Sequence, residues 1–151
     1  MKQNSKNFYS GEVEKTVSIK ASRDKIWKKI SNIISLSWVV DVKKTVCLSN
    51  KRKGLGTIRK ITFDDDSEVE ERVVGWKKGK YLSYIAVSGL PLRAYHATIS
   101  ISPIDKNSAI VTWKSFFNTE KMSREEFFEF SKFLASFYAK SLANLKSSLE
   151  K

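Results

Sequence analysis

The chain has 151 residues, of which 41% are hydrophobic and 12% aromatic, enough for one domain with a real core and too apolar for a disordered chain. Its 28 Lys and Arg against 16 Asp and Glu give a net charge of +12, which raises nucleic acid, an acidic partner or an anionic membrane surface as partners to be weighed. The single cysteine, Cys47, excludes an intramolecular disulfide and leaves too few thiols for a cysteine-based zinc site.

Residues 1–11 are polar and read as a flexible tail. The N-terminal stretch has no apolar leader and no segment approaches the length of a membrane span, so the expected location is the cytoplasm. Val13, Lys15, Val17 and Ile19 predict a first strand over 12–20. Ser22 suits a helix N-cap, with Asp24 at the positive helix end. Ile26, Trp27, Ile30, Ile33 and Ile34 then recur at helical spacing, predicting a short helix that breaks near Ser31-Asn32 into a second.

Six strands are expected next, over 42–48, 57–63, 68–76, 81–87, 93–102 and 109–117. Tight turns separate them, among them Asp64-Asp65-Asp66, Lys78-Gly79 and Ser88-Gly89-Leu90-Pro91. Short strands joined this way form an antiparallel meander rather than βαβ units. The period changes after Ser123, a second N-cap. Phe127, Phe130, Phe133, Leu134, Phe137, Ser141, Leu142, Leu145 and Leu149 follow helical spacing to about 149, uninterrupted by Gly or Pro. The expectation is an α+β helix-grip fold: a curved antiparallel sheet of about seven strands wrapped around one long C-terminal helix, with no second domain in 1–151.

Alternation along each strand assigns the faces. Tyr95, Ala97, Ile99 and Ile101 share an inward face, and so do Val111, Trp113, Ser115 and Phe117. In the earlier strands the inward sets are Arg59, Ile61 and Phe63, then Val69, Glu71 and Val73, then Leu82, Tyr84 and Ala86. Arg59 and Glu71 are charged residues on neighbouring strands. A lone buried charge costs several kcal/mol, so they either pair across the strands near a rim or face a hydrated cavity. With Tyr95 and Ser141 they supply a few polar groups to an aromatic-lined space, the make-up of a small-molecule pocket.

At this point the chain resembles a known family. The element order, with Ala21-Ser22-x-x-x-Ile26-Trp27, Gly54-x-Gly56-x-x-Arg59-x-x-Thr62, Glu71-Arg72-Val73, Leu90-Pro91 and Val111-Thr112-Trp113, is similar to the START/Bet v 1-like (SRPBCC) superfamily. The nearest flavour is the polyketide cyclase/dehydrase-like small-ligand proteins, over about residues 12–149. The resemblance implies a hydrophobic cavity between sheet and long helix, faced by Arg59 and Glu71, with Tyr95, Phe133, Phe137 and Ser141 at positions that often line it. In plant hormone receptors of similar architecture a Ser-Gly-Leu-Pro gate joins an earlier strand pair. Here Ser88–Pro91 lies one hairpin later, so that gating does not carry over.

The expected function is binding or transport of a small hydrophobic molecule: a lipid, an isoprenoid or a polyketide-like compound. The candidate ligand-facing residues are Arg59, Ile61, Phe63, Glu71, Tyr84, Tyr95, Ala97, Trp113, Phe117, Phe130, Phe133, Phe137 and Ser141. A cyclase or dehydratase in the same cavity is the alternative, with Glu71 as general base and Arg59 steadying an enolate. No nucleophilic constellation accompanies the lone His96, which falls on the polar face of its strand. Asp64-Asp65-Asp66 reads as a solvated turn rather than a metal site, and Gly54-Leu55-Gly56 is not a phosphate loop because no helix follows it. No cofactor is expected. The lysine clusters at 28–29, 43–44, 51–53 and 77–80 leave a basic interaction module as a further alternative, though no RNP-type or recognition-helix pattern supports it.

Overall fold

The computed structural model describes residues 8–151. Within it the alternating segments become β1 (Tyr9–Ile19), β2 (Val42–Cys47), β3 (Ile58–Phe63), β4 (Glu68–Lys77), β5 (Tyr81–Ser88), β6 (Ala94–Asp105) and β7 (Ser108–Thr119). They form one seven-stranded antiparallel sheet in the order β1-β7-β6-β5-β4-β3-β2. Irregular register at Val42/Lys44, Glu70/Glu71, Val73/Gly75 and Pro103/Asp105 bends the strands, which lets the sheet curve.

Helix α1 (Arg23–Ile30) begins at Ser22, whose hydroxyl accepts from the Lys25 N–H, and buries Ile26, Trp27 and Ile30. Helix α2 (Arg124–Leu149) opens on a full capping box: the Ser123 hydroxyl accepts from Glu126 N–H and the Glu126 carboxylate accepts from Ser123 N–H. It lies across the concave face of the sheet and buries Leu134, Tyr138, Ser141, Leu142 and Leu145. This is the expected helix-grip arrangement of a curved sheet around a long C-terminal helix.

Two expectations need correction. The tail is shorter than 1–11, because Tyr9, Ser10 and Gly11 pair with Thr119, Asn118 and Phe117 of β7. The neighbouring polar residues hid this, and residues 1–7 lie outside the described part. The second short helix does not form: the described residues contain two helices in all, and 31–41 is irregular chain. Its serines and asparagine compete with helical hydrogen bonding. Tertiary partners then take its backbone groups: Arg59 Nη1 donates to the Ile33 carbonyl at 2.7 Å and the Val40 N–H donates to Ser141 Oγ at 3.1 Å. Ile33 and Trp38 are buried, so the helical spacing of apolar residues was real but served a packed strap.

Candidate functional site

The site grows from one cross-strand pair. Arg59 on β3 stands directly opposite Glu71 on β4, both pointing to the concave face. They are 6% and 7% exposed. Arg59 donates from Nε at 3.0 Å and from Nη2 at 2.8 Å to the same carboxylate oxygen, Glu71 Oε1. Its guanidinium also lies over the Tyr84 ring, 5.1 Å from the centroid. Glu71 Oε2 accepts no hydrogen bond among the described residues. Burial pushes the Glu71 carboxyl above its usual value, against the opposing pull of Arg59.

Behind this pair lies a chain of phenols. Trp113 Nε1 donates to the Tyr84 hydroxyl at 3.1 Å, Tyr84 faces Tyr95, and the Tyr95 and Tyr138 hydroxyls share a hydrogen bond. Tyr138 stacks on Trp113 with ring centroids 4.1 Å apart. Burial raises the pKa of all three phenols, and their mutual proximity adds to it for Tyr84 and Tyr95, so each stays protonated and serves as a neutral hydrogen-bonding group.

Between this polar floor and the first half of α2 is a pocket of about 430 Å³. Arg59, Ile61, Phe63, Glu71, Tyr84, Tyr95 and Trp113 line it from the sheet, and Phe130, Phe133 and Phe137 from the helix. Phe137 meets Phe63 edge-on, with ring centroids 6.0 Å apart, and Trp113 at a tilt, 5.8 Å apart. Phe133 is 62% exposed and stacks on Phe137 at the mouth. Three sequence candidates sit elsewhere. Ala97 and Phe117 are packed in the core, Phe117 against Phe127 and Phe130, and Ser141 holds the 31–41 strap by accepting from Val40.

Other lining residues lie outside the set of candidate ligand-facing residues. Leu36 and Val39 come from the strap, Val69 from β4 and Leu134 from α2, while Gly89, Leu90 and Pro91 form the β5–β6 turn at the mouth. Gly89 is required there: its φ is +102°, and a side chain would run into the Glu68 carbonyl. Tyr138 was legible in principle, since it lies four residues from both Leu134 and Leu142. The Asp64–Asp66 segment is a turn, with Asp65 accepting from the Ser67 N–H and hydroxyl and Asp66 paired with Lys43 at 2.8 Å. The Ser67 hydrogen bonds hold Asp65 below the usual carboxylate range. His96 is exposed on the outer face.

The profile of the family described as polyketide cyclase / dehydrase and lipid transport matches residues 10–150. The chain belongs to this family. Solved structures share its fold. The protein XoxI from Bacillus cereus is 20% identical, with a TM-score of 0.79 over 91% of this chain and 94% of that one. A protein from Thermobifida fusca is 19% identical, with a TM-score of 0.78 over 89% and 90%. Truncated norcoclaurine synthase from Thalictrum flavum is 18% identical, with a TM-score of 0.73 over 95% and 96%. No curated protein matches the chain by sequence. Among the described residues no helix is long and apolar enough to cross a membrane, and no group of three or more His, Cys, Asp or Glu side chains is placed to hold a metal ion.

Proposed function

We propose that this member of the family binds a small hydrophobic molecule, of lipid, isoprenoid or polyketide-like character, in the pocket between the sheet and α2, and carries it in the cytoplasm. The observation that supports this reading is the pocket itself: about 430 Å³ walled by aromatic and aliphatic side chains, with polar groups confined to its floor and rim. Leaving such space forfeits packing contacts, so occupancy stabilises the fold by mass action. Native mass spectrometry of the purified protein, followed by extraction and identification of what accompanies it, tests the reading. A co-purifying apolar compound supports it. Protein that is empty, and that no apolar compound stabilises against heat, contradicts it.

One observation favours a second reading, a cyclase or dehydratase in the same pocket. Glu71 is buried, its carboxyl is raised by desolvation, and Oε2 is not engaged by Arg59. A carboxylate placed this way suits removal of a proton next to a carbonyl, with Arg59 beside the developing enolate. Turnover of a polyketone probe that Glu71→Gln abolishes, while the variant still binds the probe, supports it. Turnover unaffected by Glu71→Gln removes it.

A further inference from the structure

The charge of the pocket is opposite to the charge of the protein. The chain carries +12, yet the pocket is lined by one cation, Arg59, and four carboxylates, Asp41, Asp64, Asp65 and Glu71. Arg59 is already matched: Nε and Nη2 donate to Glu71 Oε1, Nη1 donates to the Ile33 carbonyl, and Tyr84 covers one face of the guanidinium. Asp41, Asp64 and Asp65 make no ion pair among the described residues, and they stand exposed at the mouth. The buried floor repeats the sign of the rim. Glu71 is 7% exposed and faces the pocket, and its Oε2 is an acceptor with no donor.

We infer that the pocket selects an apolar ligand whose polar end donates hydrogen bonds and carries no negative charge, a protonated amine ahead of an alcohol and an alcohol ahead of a carboxylate. The inference rests on the binding reading above and names the head group that reading leaves open. A donor at Glu71 Oε2 completes a charge-assisted hydrogen bond on a largely buried side chain, and a positive head passes an acidic rim on entry. A carboxylate meets the reverse on both counts. It approaches three unpaired aspartates, and at the floor it faces a carboxylate whose counter-ion is already taken.

Isothermal titration calorimetry of the full chain with decylamine, decanol and decanoate, at neutral pH and moderate salt, separates the possibilities. Surface attraction to a +12 protein favours decanoate, so an amine preference runs against the net charge and reports on the groups in the pocket. The expected result is one-to-one binding with decylamine tighter than decanoate by about tenfold or more. The double variant Asp64→Asn, Asp65→Asn, altered only at an exposed turn, is expected to narrow that gap. Decanoate binding as tightly as decylamine overturns the head-group inference and leaves the binding reading standing. An unchanged gap in the double variant removes the rim from the argument and with it the inference as stated. Saturable binding of none of the three overturns the inference and the binding reading together.

Discussion

The two halves of α2 meet the same sheet in different ways. From Tyr138 to Leu145 the helix is closed against it: Tyr138, Ser141, Leu142 and Leu145 are fully buried, and Tyr138 lies flat on Trp113. From Phe130 to Phe137 the helix stands off, with Leu134 its one buried apolar side chain there. Phe130 and Phe137 are only half-buried, Phe133 is exposed, and the space beneath them is the pocket. The second half carries stability; the first leaves room for something else. Apolar side chains at helical spacing are present in both halves, so the difference is set by what faces them. Beneath the first half stand the charged pair of β3 and β4 and the large rings of Phe63 and Tyr84.

The largest effect should come from the floor. Arg59→Met leaves Glu71 as a buried carboxyl without its counter-ion and should cost about 3–5 kcal/mol, read from chemical denaturation. The same experiment across pH tests the raised carboxyl. Above the usual value of 4.5 and up to its raised one, native Glu71 keeps a proton that the unfolded chain has lost. Its contribution to stability therefore falls as pH rises through that window, and Glu71→Gln should lose this slope.

Next comes the closed half. Leu142→Ala removes a side chain that is 1% exposed and should cost about 2–5 kcal/mol by transfer and cavity creation, with little change in ligand affinity. Phe137→Asp in the open half should lower both stability and binding, because it places a charge on the apolar wall. Binding retained at full stability in that variant would show that the wall lies elsewhere. Smallest is Phe133→Ala at the mouth, which should change stability by no more than about 0.5 kcal/mol while weakening an apolar ligand. Equal losses of stability at Leu142 and Phe133 would erase the distinction between the halves.

The sequence revealed the elements better than the spaces between them. Alternation placed Arg59, Glu71, Tyr84, Tyr95 and Trp113 on the concave face because a strand has only two faces. It did not tell how far the opposing helix stands away. Ala97 and Phe117 share the face that carries Tyr95 and Trp113, yet both are packed in the core, Phe117 against Phe127 and Phe130. Ser141 looked like a polar group for a ligand and instead accepts from a backbone N–H of the 31–41 strap. The strap departs from its helical spacing for the same reason: its hydrogen-bond partners, Arg59 and Ser141, lie far away in sequence. Periodicity is local, and a pocket is made by long-range contacts.

The most direct test of the two-halves account is to titrate decanol, an uncharged apolar probe, into the protein and follow the backbone amides by NMR. The account predicts saturable shifts concentrated at Arg59–Phe63, Val69–Glu71, Gly89–Leu90 and Phe127–Phe137, with Tyr138–Leu149 nearly silent. Shifts spread evenly along α2, or confined to the outer face of the sheet, would contradict it.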